Sequence, residues 1–448
     1  MKISLRAIPA LLLGVGAVPA FAAGFQLLEQ NASGLGNAYA GSAAVAEDAS
    51  TIYFNPAGLA ALQEGKHVVI AVNAITPSST LQNGSSLSAS GVTSYTYAGF
   101  GGDAGGTSFV PNAYFAMSLA PSWTLGLGIN APFGLKTQYD DNWIGRFQAI
   151  KSELKTVNIN PTLAWKLNDK VSLGFGLDWQ KIDATLTKAV NYTAIVGRVS
   201  LASALAIGNV EGRNDISGGD SAWGYNLGAL FQVSESMRIG LAYRSAIHYA
   251  LSGTHTATHP VTGNPTADAI IAGNPSTQNQ AVSLDLTVPD SFTTSVVQRL
   301  NDKWDMLGDV SWTGWAKIPE IRVRYSVAGA ADEVTTYHFR NTWRVALGAN
   351  YRYADNLKFR FGIAYDQTPV RDEFRTPRLP DSSRTWFATG LQYKPGKDSA
   401  IDLGLAYLKG GDAPINNSGE VTANARGLLN GNYDNSVRIL SAQYSMNF

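Results

Sequence analysis

The chain has 448 residues, 34 basic against 34 acidic side chains, only 15% charged positions and no cysteine. Missing cysteine excludes disulfides, thiolate metal sites and cysteine nucleophiles, and zero net charge offers no basic face to nucleic acid. Past the first 22 residues there is no run of about 18 apolar residues, which argues against a helical membrane protein. A membrane β-barrel fits such a composition, because its lipid face takes only every second residue.

Residues 1–22 read as a leader peptide. Lys2 and Arg6 supply positive charge, Ala7 to Val18 an apolar core, and Ala20-Phe21-Ala22 a small-x-small cleavage pattern. The mature chain is expected to start at Ala23, outside the cytoplasm of a bacterium. The next stretch, Gly24 to Leu62, is rich in Ala, Gly and Ser, carries the step Asn55-Pro56-Ala57, and does not alternate as a strand would. Residues 23–65 are therefore expected to form a small plug, and residues 66–448 a barrel wrapped around it.

From there the chain alternates at period two. Trp123, Leu125, Leu127 and Ile129 interleave with Thr124, Gly126, Gly128 and Asn130; Val171, Leu173, Phe175, Leu177 and Trp179 interleave with smaller or polar residues. Such spacing puts large apolar side chains on one face of a sheet and small or charged ones on the other. A soluble sandwich alternates in the same way, but two features favour a membrane barrel. Aromatics such as Trp223, Tyr225, Trp343, Tyr351 and Tyr353 gather toward strand ends, as in interfacial girdles. Connections also alternate between six short polar turns (Ala120-Pro121-Ser122 is the first) and seven long loops. The count predicts fourteen strands, with both ends on the short-turn side. The last strand ends in an alternating Leu440, Ala442, Tyr444, Met446, Phe448.

The third strand is predicted over 122–138 but contains Asn130-Ala131-Pro132-Phe133-Gly134. Proline cannot donate to a ladder and glycine weakens a strand, so pairing should break at Pro132, Phe133 and Gly134. Two long loops look apolar for solvated segments. Residues 189–220 carry Ile195, Val196, Val199, Leu201, Leu205 and Ile207, and residues 253–280 carry Ile270 and Ile271. Exposed apolar patches mark binding surfaces; the alternative is that the two loops pack on each other. Of the five histidines only His255 and His259 lie close together, in a loop where i,i+4 spacing has no meaning. No metal, cofactor or catalytic residue is expected.

The chain resembles the FadL-type outer-membrane transporters of long-chain fatty acids and other hydrophobic compounds. The likeness starts at Gly24-Phe25-Gln26-Leu27 and runs through Ser33-Gly34-Leu35-Gly36-Asn37-Ala38-Tyr39, Glu47-Asp48-Ala49 and Asn55-Pro56-Ala57. Weaker collinear echoes follow at Thr313-Gly314-Trp315, Asp366-Gln367-Thr368-Pro369-Val370, Pro380-Asp381 with Trp386, and Lys397-Asp398-Ser399. The resemblance implies an all-β fold: a 14-stranded antiparallel transmembrane barrel closed by an N-terminal hatch, working in the bacterial outer membrane without enzymatic activity. It implies a groove between the two apolar loops, an internal pocket, and lateral exit at the third-strand kink. Phe25 matches a hatch aromatic that touches ligand, and Asn55, Pro56 and Ala57 would seat the hatch beside the gap. Aligning Thr313-Gly314-Trp315 makes Arg322 the carboxylate partner, pointing inward if a bulge resets the ninth strand near Gly314–Pro319. In the fifth strand the family's basic position falls on Asp183, with Lys181 two residues away on the same face. The expected partners are a long-chain fatty acid or other hydrophobic small molecule and outer-membrane lipid, not nucleic acid, and a monomer suffices. A hydrocarbon or aromatic-compound channel of the same fold is the rival reading, and it would not need Arg322.

Overall fold

The computed structural model describes residues 24–87, 97, 99–416 and 426–448; the expected leader lies outside them. Fourteen antiparallel strands form a closed barrel. The first is Lys66–Leu87, and it pairs both with Ser108–Ala120 and, at the closing seam, with Leu428–Asn447. The alternation read from the sequence is the inside–outside pattern of this wall. In the third strand Trp123, Leu125, Leu127 and Ile129 point outward and are exposed, while Thr124 and Asn130 are buried inside. All six short turns lie at the barrel end that also carries the C-terminus. Two are fixed by asparagine side chains: Asn168 accepts from the Lys170 and Val171 amides, and Asn301 from those of Lys303 and Trp304.

Several strands are interrupted among the described residues. The third runs Trp123–Asn130 and resumes at Gly134–Gln138. The seventh breaks between Met237–Arg244 and Ile247–Thr258, and the eighth between Gln280–Val288 and Ser291–Arg299, where Pro289 has no N–H to offer. The ninth strand differs from expectation. It does not bulge and continue to residue 325; it ends at Thr313, followed by a single 3-10 turn over Trp315–Lys317. Glu320–Tyr325 then pairs with Glu333–Thr336 as a hairpin, and the tenth strand starts only at Thr342. The ladder of the ninth strand stops at Thr313, and Arg324 and Tyr325 rejoin the eighth strand opposite Ser283 and Val282.

Residues 24–62 fill the lumen. They form short helical turns rather than strands: Ala32–Leu35, Ser42–Val45, Thr51–Phe54 and a 3-10 turn Pro56–Ala61. Asn31 and Asn55 cap two of them by accepting from the Gly34 and Ala57 amides. The segment comes so close to the wall because glycine lines the wall there. A β-carbon at Gly240 would sit 1.9 Å from the Ala43 carbonyl oxygen, and one at Gly362 would sit 2.1 Å from the Asn37 backbone. Polar side chains complete the fit. Asn37 donates to the Ala349 and Phe361 carbonyls, Asn226 to that of Ile52, and the Arg244 guanidinium to that of Tyr53.

A Gly362→Val variant should keep the folded barrel's heat-modifiable mobility on a denaturing gel, because the outer face and ladder are untouched. Its conductance in planar bilayers should rise severalfold as the luminal segment is pushed off the wall. Wild-type conductance in that variant would show that the glycine contacts do not hold the segment.

Candidate functional site: a lateral gap sealed from inside

The interruption at Ala131-Pro132-Phe133 opens the wall between the second and third strands. Their ladder runs from Ala120↔Trp123 up to Ala113↔Ile129 and stops. Above that point Gly134–Gln138 pairs only with the fourth strand, Lys151–Lys166. A barrel wall with free backbone groups in a membrane is costly, several kcal/mol for each unsatisfied group. Residues of the luminal segment satisfy them. The Leu27 amide donates to the Pro132 carbonyl (2.8 Å), the Gly134 amide donates to the Phe25 carbonyl (2.8 Å), and the Gln30 side chain donates to the Ala131 carbonyl (3.0 Å). Gln26 and Phe133 thus face each other as a one-residue antiparallel bridge.

Phe25 links this seal to an apolar cavity behind it. Its ring meets Trp315 edge-on at 4.8 Å and Phe133 at 5.9 Å, and it lines the cavity with Leu154, Leu286, Ile321, Val323 and Phe339. The free interior is about 70 Å³, well below the ~300 Å³ at which ligand pockets usually begin. The cavity is collapsed, and a chain-like molecule has to push its lining aside to enter.

The other residues singled out in the sequence fall as follows. Arg322 does not point into the cavity. Its neighbours Ile321 and Val323 line it, whereas the Arg322 guanidinium is tied to Glu320 (2.8 Å) and Asp332 (3.2 Å) and its side chain is 39% exposed. The inward placement assumed a bulge that resets the ninth strand; instead odd-numbered residues face inward on both sides of the break, Asp309 and Thr313 before it and Ile321 and Val323 after it. Lys181 stands on the outer face, paired with Asp183 at 2.9 Å, while Gln180 and Ile182 face inward. Asn55, Pro56 and Ala57 rest on the glycines of the fifth and sixth strands, with the Asn55 amide donating to the Ala43 and Ala229 carbonyls. They seat the segment away from the gap, and Phe25 to Gln30 do the sealing. Pro132, Phe133 and Gly134 sit at the gap itself.

At the mouth, Tyr192–Gly197 and Leu201–Ile207 pack against Pro265–Gly273. Tyr192, Val196, Ala204, Ala267 and Ile271 are buried between them, so the two apolar loops do pack on each other. Val199, Leu201 and Leu205 nevertheless remain exposed, the first at 71%.

Two acids of the luminal segment carry more weight than their sequence context suggested. Burial alone would raise the Glu47 carboxyl, but Arg360, at 3.1 Å, and Lys358 outweigh it and hold the group well below the ordinary carboxylate range. Glu47 is thereby an ionic latch onto the eleventh strand, Leu357–Asp366. Glu29 is fully buried and neither carboxyl oxygen has a hydrogen-bond partner. Burial pushes it from 4.5 up to about 7, against the attraction of Arg384 and Arg344 and with Asp366 adding repulsion. A lone acid directly after Phe25-Gln26-Leu27-Leu28 was the available signal for it.

The sign of the Glu29 effect follows from linkage. The seated carboxyl binds a proton more tightly than the exposed one, so seating is fully favoured below about pH 4.5. It weakens as pH rises through about 7, by on the order of 3 kcal/mol in total. Bilayer conductance of the wild type should therefore rise between pH 5 and pH 8, and Glu29→Gln should flatten that profile. An equal rise in both proteins would remove Glu29 from the seal.

Comparison with known proteins places this architecture. The family model described as "Outer membrane protein transport protein (OMPP1/FadL/TodX)" matches residues 13–448. The long-chain fatty acid transport protein of Salmonella typhi is 29% identical over 415 residues, covering 89% of this chain and 90% of that protein. Among solved structures, a FadL homologue from Pseudomonas aeruginosa superposes with a TM-score of 0.85 at 24% identity, covering 95% of this chain and all of the other. The Ralstonia pickettii toluene transporter TbuX gives 0.67 at 19%, covering 94% of this chain and all of the other. The fold, the exposed apolar girdle and the match across nearly the whole sequence agree: the chain belongs to the OMPP1/FadL/TodX family of outer-membrane transport proteins.

Proposed function

We propose that this protein takes up long-chain fatty acids across the outer membrane. Molecules are captured at the exposed apolar residues of loops 189–220 and 253–280 and pass into the cavity behind Phe25. They leave sideways between the second and third strands at Pro132–Gly134. In this reading residues 1–22 are a removed leader, residues 23–65 the hatch, and the barrel works as a monomer surrounded by outer-membrane lipid.

One observation carries the proposal. Phe25 belongs at once to the lining of the apolar cavity and to the backbone seal of the lateral gap. A ligand that swells the cavity must displace Phe25, and displacing Phe25 withdraws the Phe25 carbonyl from the Gly134 amide. The same residue is thus a sensor of occupancy and a component of the closed wall. An apolar chain gains nothing from a wet pore but partitions readily into lipid, so an exit into the membrane plane suits it. The rival reading, a channel for hydrocarbons or aromatic compounds, uses the same cavity and gap; a toluene transporter shares the fold.

Cysteine is absent, so a Gln26→Cys/Phe133→Cys pair provides a clean lock. These residues face each other between flanking backbone bonds, the close pairing of an antiparallel ladder. Oxidised, the variant should bind oleate at the surface yet take up none; reduction should restore uptake. Uptake that persists with the bridge formed would overturn lateral exit. The substrate class is tested separately, by complementing a fatty-acid-uptake mutant on oleate beside toluene. Growth on oleate is expected, and rescue on toluene alone would favour the rival.

A further inference from the structure

The outer face of the wall carries a groove across the closing seam. The twelfth strand (Arg384–Gly396), the thirteenth (Ser399–Gly410), the last and the first lie side by side there. Their ladders set Phe387, Tyr407, Arg438 and Thr76 in one outward row, and Leu405, Leu440 and Ala74 in the row below. Short side chains at Ala74 and Thr76 stand beside long ones at Phe387, Leu405, Tyr407 and Leu440. The free volume between them is about 730 Å³, within the ~300–1,000 Å³ of ligand sites.

The height of this groove on the wall fixes its surroundings. Phe448 closes the last strand at the short-turn end, and the outward residues above it, Met446, Tyr444, Ala442 and Leu440, carry no charge. Arg438 is the first charge. About ten residues of a strand tilted by about 40° rise about 25 Å, the height of the apolar band of such barrels. Arg438 therefore stands at the boundary of the outer leaflet, on the long-loop side, and Lys409, opposite Ser436, stands one row higher. Both are exposed, and neither makes an ion pair among the described residues; the acids nearer the mouth, Asp412 and Asp434, pair with neither. Elsewhere on the outer face Lys155, Lys181 and Arg324 are each tied to a carboxylate, at 2.9, 2.9 and 2.7 Å.

Apolar walls below and two unpaired cations at the membrane boundary have the polarity of an anionic lipid standing in the outer leaflet. The arginine fork matches a phosphate in geometry as well as charge. We infer that this groove holds a phosphorylated, acylated lipid of the outer leaflet, its phosphate on Arg438 and Lys409 and an acyl chain between Leu405 and Leu440. A second copy of the chain is a poorer occupant, because a two-fold contact would set the same cations against each other. The site lies on the outer side of the wall from the cavity behind Phe25, and it takes a resident lipid rather than the transported molecule. Because the groove crosses the seam, that lipid touches the first strand and the last together.

Native mass spectrometry of the full protein in detergent tests this, with diphosphoryl lipid A and the same lipid stripped of its phosphates as probes. The wild type should bind the phosphorylated form about tenfold tighter. Arg438→Gln with Lys409→Gln should abolish that preference and leave the stripped lipid within about twofold. Ala74→Leu fills the groove and should weaken both lipids, whereas Lys155→Gln with Lys181→Gln should change neither. All these positions face lipid, so each variant should keep the heat-modifiable mobility of the folded barrel. Equal binding of the two lipids by the wild type, or an undiminished preference without Arg438 and Lys409, would overturn the phosphate site. The same loss in the Lys155/Lys181 pair would show diffuse charge instead, and unchanged binding in Ala74→Leu would remove the acyl chain from the groove.

Discussion

A barrel in a membrane has no water to satisfy a broken ladder, and that constraint organises this molecule. The third strand is broken by Pro132, and the wall above Ile129 loses its partner on the second strand. Every other element of the site follows from how the loose backbone is satisfied. Thr156 takes both polar groups of Phe133 on one side, accepting from its amide and donating to its carbonyl. Phe25, Leu27 and Gln30 take the remaining groups on the other. A permanent side-chain plug would have closed the wall for good. Here a strand of three residues, Phe25–Leu27, closes it through backbone hydrogen bonds.

The luminal segment is held to the wall along its length, by different means in its two parts. From Asn31 onward it is pinned by glycine-lined approaches, by the Glu47 latch to Arg360, and by wall side chains such as Gln443, which accepts from the Ala32 amide. Upstream of Asn31 it is held at the gap, by Asp381, which accepts from the Gly24 amide, and through the Glu29 and Gln30 carbonyls, which accept from Asn73, Asn112 and Tyr114, while the Glu29 carboxyl has no hydrogen-bond partner. Local opening at low cost is expected where contacts are few and strained groups sit.

Much of this was legible in the sequence, for identifiable reasons. Period-two alternation exposed the wall because the lipid face demands large apolar residues while the hatch demands glycine on the other; both pressures act on the same strands. The six short turns were readable from asparagine, serine and proline, and the gap from Pro132. What failed was anything that depends on register across a break. A bulge near Gly314–Pro319 is what turns Arg322 inward in the sequence reading, whereas the strand ends there and Ile321 and Val323 hold that side. Asn55 was put beside the gap because its rigidity was visible and its neighbours on the fifth and sixth strands were not.

The collapsed cavity has a thermodynamic corollary for the barrier function of the outer membrane. In the proposed uptake mechanism ligand and lateral opening are linked through Phe25, so each shifts the other by the same free energy. An unoccupied protein is therefore leak-tight without any energy source or partner to shut it. In that mechanism lateral passage appears only molecule by molecule, at the copies that are loaded.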